Sequence, residues 1–369
     1  MDFRAIDYKQ FYVPYVKGRY ITNTHLGEFL SHLPTEFEIQ DMGTSVQNRT
    51  IKSVIFGKGP KRILMWSQMH GNESTTTKAL LDVLHFLKNS EYSNAEISNA
   101  ITLKVIPILN PDGAQAYTRV NANEIDLNRD AQDLSQPESR ILKQVYEGFK
   151  PHFCFNLHDQ RTIFNVGETP MPATVSFLAP AFDNARNVSP SRKTSMQLIA
   201  AMNQRLQKMI PGQVGRYDDA FNANCVGDAF QILKTPTVLV EAGHYPNDYE
   251  RERTREFIFH ALIAGLYSIV DEKYLTFPVD DYLQIPENGK QFYDILLHNA
   301  QLISNILEVP QILPIQYKEM LTDGEIKFIP EVMLTEVSSS TTYGHKSLDC
   351  SNASDVQWLK DNDFMKLFS

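Results

Sequence analysis

Short apolar runs, spaced along most of the chain and separated by segments of helical period, limit this sequence to few architectures. The runs are Ser53 to Phe56, Arg62 to Trp66, Ile101 to Leu109, Phe153 to Leu157, Val175 to Leu178 and Thr237 to Val240. Each is read as a buried strand. Between them, Ala79, Leu80, Val83, Leu84 and Leu87 recur at helical spacing, and Ser135 with Glu138 makes a capping-box signature ahead of Ile141, Leu142, Val145 and Phe149. Ile199, Met202, Leu206 and Met209 mark a third helix, and Phe257, Ile258, Ala261, Leu262, Leu266 and Ile269 a fourth. Alternating strands and helices predict an α/β fold with a helix-flanked sheet.

Three residues of useful chemistry stand where such strands end. His70 follows the run Ile63-Leu64-Met65-Trp66, His158 follows Leu157, and Glu241 follows Val240. In an open α/β sheet, ligands bind in the crevice beyond the carboxyl ends of the strands, so side chains distant in sequence converge there. His70-Gly71-Asn72-Glu73 adds a carboxylate three residues from an imidazole. At that spacing both face one point only on a tight turn or the first turn of a helix. Zinc is held by such His nitrogens and Glu oxygens, three protein ligands leaving a catalytic site one open position. Taken singly, a surface turn for His70 and a structural histidine for His158 are the more common roles.

The order of the motifs separates these alternatives. After His70-Gly-Asn-Glu73 come Asn110-Pro111-Asp112-Gly113, Thr118-Arg119, Asp126-Leu127-Asn128-Arg129, Asn156-Leu157-His158-Asp159 and Val240-Glu241-Ala242-Gly243. Over roughly residues 50 to 270 the series resembles the zinc metallocarboxypeptidase superfamily, which holds carboxypeptidase A-like peptidases with aspartoacylase and succinylglutamate desuccinylase relatives. The resemblance implies a mixed, mainly parallel sheet and one Zn²⁺ ion on His70, Glu73 and His158. It makes Glu241 the general base toward a metal-activated water. A helix-capping or ion-pairing Glu is the competing role, suggested by the charged segment Glu250-Arg251-Glu252-Arg253. Arg119 falls on the position that steadies the oxyanion, and Asn128 and Arg129 on those that grip a substrate carboxylate. Tyr217 is the nearest candidate for the mobile tyrosine of carboxypeptidases, and Asp228 falls near their side-chain pocket, where an acid favours a basic group. Asp126 is placed to accept from the free nitrogen of His70; Asp159 does the same elsewhere or caps a turn.

The expected activity is therefore hydrolysis of a peptide amide next to a free carboxylate. The interval between Asn110-Pro-Asp-Gly and Asn128-Arg129 is shorter than in digestive carboxypeptidases. The motifs around His70 and His158 echo the deacylase branch, which leaves a deacylase of N-acyl amino acids as the alternative. A non-catalytic zinc-binding protein on the same scaffold requires a missing ligand or base, and none is missing.

Composition bounds the rest. A net charge of −9 argues against nucleic acid or an anionic membrane as main partner. No run of about 18 apolar residues is present to span a bilayer. Cys154, Cys225 and Cys350 form no CxxC pair and read as reduced thiols. With an N-terminus, Met1 to Asp7, that lacks a signal-peptide core, a cytoplasmic protein is expected. Three units are expected: an N-terminal extension over 1–47, a hydrolase domain over 48–272 and a small C-terminal accessory region over 273–369. In the last, Phe292, Ile295, Leu296, Ile303, Ile306 and Leu307 suggest a helix, and Val332, Leu334 and Val337 a strand. Oligomeric state leaves no mark in the sequence.

Overall fold

The computed structural model describes residues 6–88, 94–303, 311–333, 337 and 341–368. Its centre is a sheet of eight strands. In chain order the first nine strands are β1 (Phe37–Thr44), β2 (Thr50–Phe56), β3 (Lys61–Ser67), β4 (Ile101–Ile106), β5 (Phe153–Asp159), β6 (Asn165–Val166), β7 (Val175–Leu178), β8 (Val214–Arg216) and β9 (Thr237–Ala242). All but β6 belong to this sheet, in the order β1-β2-β4-β3-β5-β9-β7-β8. The neighbours β4, β3, β5 and β9 run parallel, as do β7 and β8, while β1–β2, β2–β4 and β7–β9 are antiparallel. The sheet is thus mixed and mainly parallel.

Strand periodicity explains why its middle is apolar throughout. Successive side chains point to opposite faces. Ile63 and Met65 of β3 join one core cluster with Phe155 and Leu157 of β5, whereas Leu64, Trp66 and Cys154 join another. Ten helices accompany the sheet: α1 (Asn23–Ser31), α2 (Thr75–Lys88), α3 (Asn94–Ala100), α4 (Pro111–Ala116), α5 (Pro137–Phe149), α6 (Pro190–Leu206), α7 (Val226–Ile232), α8 (Glu252–Val270), α9 (Val279–Leu283) and α10 (Ala353–Asp361), as counted among the described residues. Leu80, Leu84, Ile199, Met202, Ile258 and Leu262 of α2, α6 and α8 cover the first face; Ile141, Leu142, Val226 and Phe230 of α5 and α7 cover the second. Every strand expected from an apolar run is present. The Ile101 run ends earlier than expected, at Ile106, and Pro107 follows it.

Three expectations are corrected. The boundary at residue 47 cuts through a β-ladder, because Phe37 to Thr44 pair with Thr50 to Phe56. Further upstream, Phe11, Val13 and Val16 lie in the main core, and the buried pair Asp82–Arg255 holds this segment through Val13 and Val16. Residues 6–47 are therefore part of the central unit. The Ser135/Glu138 capping box does not form: Ser135 donates to the Asp130 carboxylate at 2.7 Å, Gln136 occupies the N-cap and Pro137 starts the helix. Last, the stretch read as a helix from Phe292 is strand β11 (Phe292–His298), which follows the two-residue strand β10 (Asn288–Gly289). The consecutive Ile295-Leu296-Leu297 are buried between two neighbouring strands, and a short apolar run of this kind satisfies helical spacing by coincidence. Ile306 and Leu307 lie outside the described residues.

β11 belongs to a four-stranded sheet of order β13-β12-β11-β14, with β12 at Ile312–Thr322, β13 at Glu325–Val332 and β14 at Tyr343–Asp349. The strand expected around Val332 is β13, which ends there; Leu334 lies outside the described residues, and Val337 is not in a strand. This sheet has its own core around Ile295, Leu297, Leu313, Ile315 and Leu359. The far half of β12 pairs with β13 as a hairpin arm that extends past β11. Tyr249, whose ring lies 5.1 Å from that of Tyr317 and 5.3 Å from that of Phe328, fastens the arm to the main unit. Cys154, Cys225 and Cys350 are free thiols. Among the described residues no helix is long and apolar enough to cross a membrane.

Candidate metal centre and catalytic cleft

His70 and Glu73 sit on the turn between β3 and α2, closed by a hydrogen bond from the Glu73 N–H to the His70 carbonyl at 3.1 Å. This is the tight turn their spacing demands. The turn is pressed against α4: a Cβ on Gly71 would stand 1.9 Å from the Gly113 carbonyl carbon, so no side chain fits there. The motif Asn110-Pro-Asp-Gly thereby acquires a local cause. The Asn110 side chain caps α4 through the Gly113 N–H at 2.8 Å and donates to the Met69 carbonyl at 3.2 Å. Asp159 settles into capping α2, accepting from the N–H groups of Thr75 at 2.8 Å and Thr76 at 3.2 Å. His158 and Glu241 lie within the last residues of β5 and β9 rather than beyond them, directly opposite each other in the parallel register.

The strand ends bring His70, Glu73 and His158 together. All three are buried, and they offer ligand atoms that lie within 4.8 Å of one another. His70 Nδ1 is 3.0 Å from Glu73 Oε1 and 3.1 Å from His158 Nδ1, which is itself 2.9 Å from Glu73 Oε2. Ligands at ~2.1 Å around a tetrahedral zinc ion stand roughly 3.4 Å apart, close to these spacings. Two imidazole nitrogens and a carboxylate are also a donor set that suits zinc. The residues fit the ion.

Their neighbours fix how they point. His70 Nε2 donates to Asp126 Oδ1 at 2.9 Å, which leaves Nδ1 as the lone-pair nitrogen facing Glu73 and His158. Asp126 is held by the turn it caps, accepting from the Asn128 N–H at 2.9 Å. Burial opposes the charged form of His70, but the carboxylates of Glu73 and Asp126 outweigh it and raise its pKa. Glu73 stays far below the usual carboxylate range: burial acts against this, and the two imidazoles overcome it. Burial lowers the pKa of His158 despite Glu73.

Glu241 is half-buried, and its Oε2 is shielded without a hydrogen-bond partner. Burial pushes its pKa well above the ordinary value, Glu73 and Asp159 add to this, and Arg119 and Arg251 oppose it. The competing capping role belongs to Asp248, which accepts from the N–H groups of Glu252, Arg253 and Thr254 at the start of α8. Glu241 is left as an uncommitted carboxyl beside the donor cluster.

These groups open onto a cleft of about 790 Å³ that also exposes Arg119, Asn128, Arg129, Tyr217 and Asp228. Every residue singled out in the sequence for catalysis, binding or metal lines this one space. Arg119 bridges Glu73 Oε1 at 3.0 Å and Asp126 Oδ2 at 3.2 Å. Asn128 is anchored by accepting from the Val226 N–H at 3.1 Å, and Arg129 donates back to the Asn128 carbonyl at 2.8 Å. Tyr217 follows β8 directly and packs on Phe164, ring centres 5.3 Å apart. Burial raises the Asp228 carboxyl to about 6. Sequence reasoning missed Arg19, Arg161, Arg251, Tyr317 and Glu319, which also line the cleft. Arg19 pairs with Glu319 at 3.1 Å, and the Tyr117 hydroxyl donates to the same carboxylate.

Comparison with known proteins agrees with this geometry. Carboxypeptidase 2 of Trichophyton tonsurans is 27% identical over 169 residues, which are 45% of this chain and 30% of that protein. Carboxypeptidase E of Caenorhabditis elegans is 27% identical over 132 residues, 30% of this chain and 28% of that protein. The chain thus spans less than a third of the length of these curated relatives. Among solved structures, a metallo-carboxypeptidase from Burkholderia cenocepacia superposes with a TM-score of 0.54 at 16% identity, covering 69% of this chain and 70% of the other. Carboxypeptidase A from Helicoverpa armigera gives 0.54 at 16%, covering 68% and 72%; likeness at this identity shows the shared fold. The sequence profile described as zinc carboxypeptidase matches residues 23–229, more than half of the chain, and the protein belongs to the zinc carboxypeptidase family.

Proposed function

We propose that this protein is a zinc-dependent metallocarboxypeptidase that hydrolyses an amide bond next to a free carboxylate. The observation that carries the reading is the meeting of the buried His70–Glu73–His158 donor set with the uncommitted carboxyl of Glu241 in one cleft. A single zinc ion on those donors supplies a Lewis acid that acidifies water and polarises a carbonyl. Glu241 takes the proton of the attacking water at Oε2 and delivers it to the departing amine. Arg119, exposed and paired with Glu73 and Asp126, steadies the negative oxygen of the tetrahedral species. Asn128 and Arg129 hold the substrate's terminal carboxylate, for which a guanidinium fork is matched in shape. Tyr217 packs over the bound residue. Asp228, ionised above pH of about 6, favours a basic side chain in that residue.

A deacylase of N-acyl amino acids is the second reading. It is favoured by the C-terminal sheet, which sends Tyr317 and Glu319 of β12 into the cleft and narrows its approach. A dipeptide panel assayed beside N-acetyl-aspartate and N-succinyl-glutamate, each with and without a chelator, separates the two. Glu241→Gln should keep its zinc and lose turnover. Robust hydrolysis by that variant rules out the assigned base.

A further inference from the structure

One wall of the cleft carries positive charge that the proposed reaction leaves idle. Arg251 lines the cleft at 1% exposure. Its guanidinium donates to the Ala242 carbonyl and, at 2.6 Å, to the Gln160 carbonyl, while its Nε has no partner. Among the described residues no carboxylate stands within ion-pair distance of it. Buried arginines are almost always paired, because desolvating an uncompensated charge is costly. Here a second cation makes matters worse: Arg251 is pushed below its ordinary pKa by burial first and then by the charge of Arg19.

Arg19 is also buried, spends Nη1 on Glu319 and the Tyr249 carbonyl, and leaves Nε without a partner. Arg161, next to Gln160, is exposed on the rim with neither hydrogen bond nor ion pair among the described residues. Among the described residues Glu319 is the one carboxylate in direct ion-pair contact with these guanidiniums, while Asp159 offsets Arg19 and Arg251 at longer range. The three guanidiniums are distinct from the cation assigned to the terminal carboxylate. Arg129, by contrast, donates to the Asn128 carbonyl at 2.8 Å.

We infer that Arg251, Arg161 and Arg19 form a second carboxylate subsite, on the acyl side of the scissile amide, so that the preferred substrate carries Asp or Glu immediately before the residue released. Arg161 offers an open fork, the complement of a side-chain carboxylate, and the buried Arg251 and Arg19 add positive charge to the same cleft. The inference rests on the peptidase reading for its direction along the substrate.

The test compares N-acetyl-Glu-Lys with N-acetyl-Gln-Lys, a pair alike in shape and different in one charge, on the zinc-loaded full chain. Two readouts are taken: kcat/KM for hydrolysis, and Kd by calorimetry with zinc-loaded Glu241→Gln. The Glu peptide should lead by at least about tenfold in both. The lead should shrink toward unity in Arg161→Gln and in Arg251→Met, each combined with Glu241→Gln for the binding arm. Arg161 is exposed and unpaired, so its variant keeps the test valid if Arg251→Met fails to fold. Equal Kd values for the two peptides, or a lead that survives both arginine substitutions, overturn the subsite. If neither peptide is hydrolysed while the Glu peptide still binds through Arg161, the subsite stands and the peptidase reading falls.

Discussion

Asp126→Asn asks whether a neighbour outside the donor set orients His70 for its ion. One oxygen of Asp126 accepts from His70 Nε2 and from the Asn128 N–H, both at 2.9 Å; the other faces Arg119 Nε and Nη2, both at 3.2 Å. A carboxylate accepts on both sides, but an amide accepts on one and donates on the other. If the new oxygen stays on His70, the amide N–H₂ meets the Arg119 guanidinium, donor against donor. If the amide flips, its N–H₂ faces His70 Nε2, and the imidazole must move its proton to Nδ1, the nitrogen aimed at Glu73 and His158. Both outcomes weaken the site while leaving the side chain's volume unchanged.

The size follows from what is lost. A hydrogen bond to a charged group contributes about 1.5–3 kcal/mol. Removing the acceptor behind a metal-bound histidine weakens metal affinity about 10–100-fold, which is roughly 1.4–2.7 kcal/mol; the two ranges agree. Competition with a chromogenic chelator should therefore show the zinc Kd of Asp126→Asn raised by one to two orders of magnitude. The same hydrogen bond is present without metal, so the melting temperature of the metal-stripped protein should fall by only a few degrees. A Kd within about threefold of wild type, with the fold intact by circular dichroism, would falsify the orienting role.

Three other substitutions probe the frame around the site. Gly71→Ala places a methyl group 1.9 Å from the Gly113 carbonyl carbon and 2.2 Å from the Ala114 nitrogen, both backbone. It should cost at least about 1–3 kcal/mol and lower zinc content by metal analysis; wild-type content and melting would refute the close approach of the two motifs. Asp82→Ala removes the closer carboxylate partner of the fully buried Arg255 side chain, at 2.6 Å, leaving it Glu252 at 3.1 Å, and takes the acceptor from the Tyr8 hydroxyl and the Val13 N–H. A loss of about 3–5 kcal/mol is expected in urea unfolding, and an unshifted midpoint would show that the pair does not hold residues 6–47 in place. Asp228→Asn tests a pH dependence. Burial raises this carboxyl from 3.8 to about 6, so its contribution to stability is full below pH 3.8 and is lost as pH rises through 6. The asparagine variant lacks that loss. Its melting temperature should pull ahead of wild type as pH climbs from about 4 to about 6, and a pH-independent gap would refute the shift.

What the sequence revealed and what it concealed divide along a physical line. His70 and Glu73 are tied by a spacing that only a turn can use, and His158 and Glu241 sit at the ends of strands whose apolar runs are unmistakable. Local patterning therefore pointed these side chains to one crevice, and the order of the motifs assigned their roles. β1 escaped notice because an edge strand in which Phe37 alone is buried, Phe37-Glu-Ile-Gln-Asp-Met, looks like polar chain. Phe292 to His298 misled because a buried strand of consecutive aliphatics also fits a helical template. The arginine wall of the cleft is hidden for a different reason. Arg19 meets its partner Glu319 across the whole chain, and Arg251 is fixed by carbonyls of Gln160 and Ala242 that any residue could supply. Nothing local distinguishes such arginines from surface ones. Metal donors need particular atoms at particular spacings, so the chemistry of the site is readable. The arginine wall depends on long-range packing of Arg19 and β12, one upstream and one downstream of the matched residues 23–229. The family match covers Asn128 and Arg129 but neither Arg19 nor Arg251, so the arginine wall is read from the packing of this chain alone.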